Sequence, residues 1–116
     1  MNDLERQKQI AAHDARNRQL LAALAAKGID LQAIRQVDLY FWSNSESEAR
    51  RLAAVLESRK YDTVGVDRSS GPGAAWSVKA SILATPHDIA ASGYSRALVG
   101  LAIDHDSQFD GWGTEV

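Results

Sequence analysis

The distribution of apolar residues along the chain divides it into helical and extended segments. Residues 4–26 are rich in Ala, Leu, Gln, Arg and Lys and contain neither Gly nor Pro, so this segment predicts a helix that stops at Gly28. Its larger apolar side chains lie mainly in the second half, at Leu20, Leu21 and Leu24. We therefore expect the second half of the helix to pack on the domain and the first half to project from it.

A strand is predicted at VDLYFW, residues 37–42, because β-branched and aromatic side chains favour extended backbone. Successive side chains of a strand point to opposite faces of its sheet. Leu39 and Phe41 therefore share the face that we expect to meet the core. Tyr40 and Trp42 point to the opposite face, away from the helices.

Two further helices and a pair of strands are indicated downstream. Ser45 and Glu48 form a capping box, and the apolar spacing that follows them predicts a helix. Residues 61–83 contain two alternating stretches joined by the turn sequence SSGPG, which predicts a hairpin. Thr85 is the expected N-cap of a last helix that ends near Asp104.

The resulting order is helix, strand, helix, strand, strand, helix, tail. Its βαββα centre predicts an α+β fold of ferredoxin-like type, a two-layer sandwich with helices on one face of an antiparallel sheet. The pattern contains no clear final strand, so the C-terminal tail is expected to pack on the domain. We expect residues 1–116 to form a single domain, with an added N-terminal helix over residues 1–28 and the core and tail over residues 36–116.

The composition fits one soluble domain, since 45% of the 116 residues are hydrophobic and 24% are charged. The chain has no Cys, which excludes disulfides and thiolate chemistry. The opening MNDLERQKQ lacks the apolar run of a signal peptide, and no segment predicts a membrane span, so a cytoplasmic protein without a membrane partner is expected. A formal net charge of -2 argues against nucleic acid as the main partner.

The acidic C-terminal region matches a calcium-binding loop only in part. Asp104, Asp106 and Glu115 fall at positions 1, 3 and 12 of the loop template, with Gln108 at position 5. Phe109 stands where the template requires a glycine for its sharp turn. We therefore interpret these acids as a solvated exit from the last helix and expect no metal site.

The histidines do not indicate a catalytic centre. His13, His87 and His105 lie on different predicted elements, and none has a partner at the spacing by which helices build zinc sites. No nucleophile motif is present, so we expect a protein that is not an enzyme and uses no cofactor. The enzymatic alternative is a small site around His87 or His105, which would need a pocket holding one ring beside a carboxylate.

Single-stranded RNA binding is the main alternative function, because RNA-recognition motifs share this strand order and stack bases on an exposed sheet face. Tyr40 and Trp42 would supply the rings and Lys79 a charge. The neighbouring strand adds no ring, since Lys79 alternates with residues such as Ser77 and Ser81. A stacking platform is therefore incomplete, and RNA is not the expected partner.

The end of the chain, FDGWGTEV, carries the most specific motif. Gly111 and Gly113 allow backbone turns on either side of Trp112, and we expect Phe109 and Trp112 to anchor this segment on the domain. DGWGT resembles the C-terminal signature of the regulator of ribonuclease E activity B (RraB) family, whose members carry a tyrosine where this chain has Phe109. The segments LERQ, KGIDLQAIRQ and YFWSNSESEARRLAAVLESRKY follow the family's order. The signature residues are Phe109, Gly111, Trp112, Gly113 and Thr114.

The resemblance implies a ferredoxin-like protein that is not an enzyme. Family members inhibit ribonuclease E by binding its non-catalytic scaffold region, and they thereby alter RNA decay. We expect the contact surface to combine the acidic helix exit with the exposed sheet face and edge. The predicted partner-binding residues are Asp104, Asp106, Asp110, Glu115, Tyr40 and Trp42.

Overall fold

A computed structural model describes residues 3–68 and 75–115. The predicted SSGPG turn lies outside the described residues. The elements are helix α1 (Asp3–Ala26), strand β1 (Arg35–Ser43), helix α2 (Glu46–Ser58), strand β2 (Asp62–Arg68), strand β3 (Trp76–Ala84), helices α3 (Pro86–Ile89) and α4 (Ser92–Asp104), and strand β4 (Ser107–Gly113).

The four strands form one antiparallel sheet in the order β2-β3-β1-β4. Helix α2 packs against β1, β2 and β3, helix α4 packs against β4, and α1 packs beside α4. The core fills the space between these helices and one face of the sheet, where Val37, Leu39 and Phe41 of β1 are buried. The architecture is therefore α+β in two layers, as the sequence predicts.

The predicted N-cap of α2 is confirmed at Ser45, but the Glu48 side chain does not close the predicted capping box and instead accepts from Arg51 at 2.8 Å. The Ser45 hydroxyl accepts a hydrogen bond from the backbone N–H of Glu48 at 3.2 Å, which satisfies a donor at the start of the helix. The helix then buries a stripe of small and branched apolar residues against the sheet. The members of this stripe are Ala49, Leu52, Ala53 and Leu56.

The prediction of one helix from Thr85 to Asp104 is wrong, because the chain forms two helices there. Thr85 does cap the first, and its hydroxyl accepts from the Asp88 N–H at 3.1 Å. The backbone is extended at Ala91, with φ -63° and ψ 140°, and α4 begins after it. The break lets both short α3 and long α4 bury apolar residues.

The expectation that the first half of α1 projects from the domain is also wrong. Ile10 and His13 are buried, although the apolar stripe there is thin. The guanidinium of Arg6 lies against α4 at Gly100, where any Cβ would collide with it. Small residues on α4 and polar contacts from α1 therefore replace the missing apolar stripe.

The chain does have a final strand, which corrects the prediction of a packed tail without one. Strand β4 pairs with β1, so that Phe109 lies opposite Phe41 and Trp112 lies opposite Leu39. The predicted burial of Phe109 and Trp112 is confirmed, with 1% and 8% of their surface exposed. A register shift leaves Asp110 without an opposite residue on β1. This bulge puts Phe109 and Trp112, three positions apart, on the same face, so the sequence does not show the alternation of a regular strand.

Candidate functional site

The sheet face opposite the helices carries the two aromatic residues that the sequence predicts there. Tyr40 is 38% exposed and Trp42 is 37% exposed, which is high for large apolar side chains. We call this surface the open face. The strand register assigns to it Gln36, Asp38, Tyr40 and Trp42 of β1, Ser77, Lys79, Ser81 and Leu83 of β3, and Asp62 and Asp67 of β2.

A lysine and an aspartate accompany Tyr40 at the centre of the open face. The Lys79 ammonium lies 5.9 Å from the centre of the Tyr40 ring and 3.8 Å from a carboxylate oxygen of Asp38. The Ser81 hydroxyl donates to the same carboxylate at 2.7 Å and helps to fix it. The face thus holds one cation between an aromatic ring and a carboxylate.

Trp42 borders a polar groove of about 490 Å³ at one end of the sheet, which we call the Trp42 groove. Asn44 and Gln108 line it, together with Asp106 from the turn between α4 and β4. The Asn44 side chain donates to the Asp106 carbonyl at 3.3 Å, and Asp106 has a positive φ of 49°. The structure therefore brings together two predicted contact residues, Trp42 and Asp106, that are distant in the sequence.

The other predicted acidic contacts do not join this groove as one cluster. Asp104 and Asp106 are exposed at the start of β4, Asp110 at its bulge and Glu115 beyond its end. A strand advances about 3.3 Å per residue, so Asp106 and Glu115 lie on the order of 25 Å apart. At the far end, Arg35 donates from Nε to the Thr114 hydroxyl at 3.0 Å and from its guanidinium to the Glu115 carbonyl.

Of the two glycines of the DGWGT signature, Gly111 has a local structural reason. Gly111 has φ +113°, and a Cβ there would lie 3.1 Å from a guanidinium nitrogen of Arg16. Gly113 lies beside the Tyr40 ring, whose Cε2 would be 4.0 Å from an added Cβ. Between them, the Trp112 indole donates to the side-chain oxygen of Asn17 at 2.8 Å. The signature thus joins β4 to both the helical layer and the open face.

Polar residues on α1 bind the last strand through hydrogen bonds. Their role was not predicted from the sequence. Arg16 donates to Nδ1 of His13 at 2.9 Å, so the proton of this imidazole is on Nε2, which donates to the Phe109 carbonyl at 2.9 Å. Arg16 also donates to the Asp110 carbonyl at 3.1 Å. We call His13, Arg16 and Asn17 the α1 clasp. Arg16 and Asn17 follow His13 by three and four positions on a helix that has few large apolar residues. This spacing is the sequence signal that could have predicted their role.

His13 and Asn17 of the α1 clasp are buried, whereas Arg16 is exposed. Asn17 donates to the Ser95 hydroxyl at 2.9 Å while it accepts from Trp112, so one amide joins α1, α4 and β4. Burial lowers the pKa of His13, and the adjacent Arg16 guanidinium lowers it further, against smaller opposing effects of the Phe109 carbonyl and nearby carboxylates. The imidazole therefore acts as a neutral structural bridge.

The remaining histidines lie apart from the Trp42 groove. The ring of His87 is mostly exposed beside Asp88, and the Nδ1 atom of His105 lies 3.8 Å from a carboxylate oxygen of Glu48. Over residues 3–68 and 75–115, no group of three or more His, Asp or Glu side chains is arranged to hold a metal ion. None of the helices in that part of the chain is both long and apolar enough to cross a membrane.

The fold and the site define a small two-layer α+β protein with a free sheet face and a glycine–tryptophan–glycine signature in its last strand. A sequence model of the family described as Regulator of ribonuclease activity B (RraB) matches residues 14–114. The chain therefore belongs to this family, and the resemblance seen in the sequence is confirmed. The match takes in all four strands and the second half of α1. No curated protein matches the chain.

Proposed function

We propose that this protein is a non-enzymatic regulator that binds ribonuclease E, inhibits or modulates its cleavage, and so affects RNA decay in the cytoplasm. The match to a family of ribonuclease regulators over residues 14–114 carries this proposal. The nuclease and the mode of action come from the resemblance of the DGWGT signature and the segments before it.

The fold that would support this function is of ferredoxin-like type. The chain order βαββαβ and the sheet order β2-β3-β1-β4 have the form of a split βαβ arrangement. In such an arrangement the helices cover one face of the sheet. The other face is then free to meet a partner, and here it carries Tyr40 and Trp42.

A protein contact suits this surface better than an RNA contact. Half-exposed aromatic residues are typical anchors of protein interfaces. Asp62 and Asp67 lie on the same face and Asp106 lines the adjoining groove, and carboxylates repel the phosphates that supply most nucleic-acid affinity. The comparisons and the geometry therefore give no support to the RNA-binding alternative.

The test is a calorimetric titration of the full chain against the scaffold half of ribonuclease E from the same organism, paired with cleavage of a defined RNA by the intact nuclease. We expect saturable binding and a lower cleavage rate. The catalytic half alone is the matched control and is expected not to bind. A folded protein that binds neither half and leaves cleavage unchanged would rule out this function.

A further inference from the structure

We propose that the open face at Trp42 binds a cationic side chain, preferentially arginine, presented by a segment of a protein partner. The inference rests on the proposed function for the identity of that partner. It adds the contact surface and the chemical class of the residue that the surface recognises.

The protein itself contains an example of the recognition. On the open face, the Lys79 ammonium is held between the Tyr40 ring and the Asp38 carboxylate. A cation is attracted to the electron-rich face of an aromatic ring, and a nearby carboxylate adds a Coulomb term. The same pairing of ring and carboxylate is therefore what another cation would need.

Trp42 offers this pairing two residues farther along β1. Its ring is 37% exposed, and its cross-strand neighbours on the open face, Ser77 and Gln108, are short or neutral. No cation or ring of the described residues stacks on it, whereas Tyr40 has Lys79. Tryptophan is the strongest aromatic partner for a cation.

Carboxylates stand on two sides of Trp42. Asp106 lines the groove that Trp42 borders, and Asp67 lies in the same cross-strand row, two strands away at roughly 10 Å. Among the residues that the strand register assigns to the open face, Asp38, Asp62 and Asp67 stand against one ammonium, that of Lys79. The local field therefore favours a positively charged guest.

Arginine fits this site better than lysine. Its planar guanidinium stacks on an indole while its N–H groups still donate to a carboxylate in the ring plane, and it loses less hydration than an ammonium. The Trp42 groove, at about 490 Å³, is within the range of clefts that hold small ligands, so a long side chain can enter it.

The probe is a 15-residue peptide with Arg at every third position among Gly and Ser, and its matched control replaces each Arg by citrulline, which has the same shape without the charge. Binding to the full chain is followed by NMR through the indole N–H signal of Trp42. We expect the Arg peptide to shift this signal saturably and the citrulline peptide to bind at least fivefold more weakly.

Variants locate the contact, and their affinities are measured by calorimetric titration because Trp42→Ala and Trp42→Phe lack the indole signal. Trp42→Ala is expected to weaken Arg-peptide binding about fivefold, Trp42→Phe less, and Asp106→Asn about twofold to threefold. Leu83→Ala is the matched control, because Leu83 is 64% exposed on the same face but distant from the groove. Its affinity should match that of the wild type. A thermal melt of each variant confirms folding, which exposed positions should preserve.

Four outcomes would overturn the proposal. Equal affinity for the Arg and citrulline peptides would show that the charge is not required. Equal losses of Arg-peptide affinity in Trp42→Ala and Leu83→Ala would show that the peptide does not bind at Trp42. Trp42-dependent binding of a 15-nucleotide RNA, with no peptide binding, would assign the face to nucleic acid instead. If Trp42→Ala still binds ribonuclease E, the proposed function stands and this surface is rejected. If the protein binds the Arg peptide but not ribonuclease E, the surface stands and the proposed function is rejected.

Discussion

Gly111 shows how a single residue type is required by two independent constraints. Its φ of +113° lies in a region that residues with a Cβ rarely adopt, and an added Cβ would lie 3.1 Å from a guanidinium nitrogen of Arg16 of the α1 clasp, closer than an ordinary contact. A side chain there would strain the backbone and displace the guanidinium that donates to the Asp110 carbonyl.

Gly111→Ala is therefore expected to lower the free energy of unfolding by about 1–3 kcal/mol. Urea denaturation followed by circular dichroism measures this. Gly93→Ala is the matched control, because Gly93 lies in α4 with no atom within 4 Å of an added Cβ. That control should be neutral or slightly stabilising, since Ala favours helix. Similar unfolding curves for the two variants would contradict this explanation of Gly111.

His13 makes the stability of the protein depend on pH. Its Nδ1 atom accepts from Arg16, so protonation would put two donors against each other inside a buried site. Burial and Arg16 lower the pKa of His13 in the folded state. The unfolded chain, whose His has a pKa near 6.5, then binds the proton more readily, and stability must fall as the pH drops below about 6.5.

We expect the urea midpoint to be constant above about pH 7 and to decrease from about pH 6.5 downward. Below the lowered pKa of His13, protonation of this residue should cause no further decrease. His13→Gln should reduce the midpoint at pH 7.5 and flatten its slope between pH 6.5 and pH 5. His87→Gln, at an exposed position, is the control and should keep the slope. A slope unchanged in His13→Gln would show that another group is responsible.

At the scale of elements, the sequence predicts those whose pattern is regular and fails where geometry breaks the period. β1 and α2 were predictable because the alternation of apolar and polar side chains and the N-cap Ser45 are local features of the sequence. β4 was not, because the bulge at Asp110 separates Phe109 and Trp112 by three positions instead of two. The division of α3 from α4 was missed because helix spacing continues across the extended residue Ala91.

Helix α1 was placed on the domain by contacts that no apolar pattern reveals. Of its four buried residues, His13 and Asn17 are polar, and each bonds to a partner more than 70 residues away. The distant partners in such pairs cannot be identified from the sequence before the fold is known. The docking of this helix therefore depends on satisfied hydrogen bonds more than on buried hydrocarbon.

Asn17→Ala should test this dependence. It removes the acceptor of the Trp112 indole and the donor to Ser95, and leaves both buried groups unpaired. We expect a loss of about 1–3 kcal/mol in the free energy of unfolding. Gln19→Ala, at an exposed position of the same helix, is expected to change it by less than about 0.5 kcal/mol. Equal effects of the two substitutions would show that α1 does not dock through Asn17.

At the scale of the whole molecule, alternate residues of β1 divide between the core and the open face. The open face was predictable from alternation alone, which put Tyr40 and Trp42 there. The meeting of Trp42 with Asp106 was not, since it depends on β4 pairing with β1. The spacing of the predicted acidic contact residues was not predictable for the same reason, because they are spread from the end of α4 to beyond the end of β4.

This division predicts opposite results for neighbouring substitutions in β1. Leu39→Ala, at a fully buried position, is expected to cost about 2–5 kcal/mol of unfolding free energy. Trp42→Ala removes a larger side chain but should cost less than about 1 kcal/mol, since its ring is not part of the core. Chemical denaturation of both variants decides this, and a Trp42 variant as unstable as the Leu39 variant would refute the division.

The hydrogen bonds from α1 to the carbonyls of Phe109 and Asp110 also govern how copies of this protein can associate. A strand at the end of a sheet is a template for another strand, and unprotected ends lead to uncontrolled polymerisation. Here α1 donors occupy two carbonyls of β4, and the bulge between them interrupts the template. The opposite end is β2, which has a strand partner on one side only. Strand addition is therefore expected to be less favourable at β4 than at β2, and two copies joined through β2 would present β4 at each outer edge.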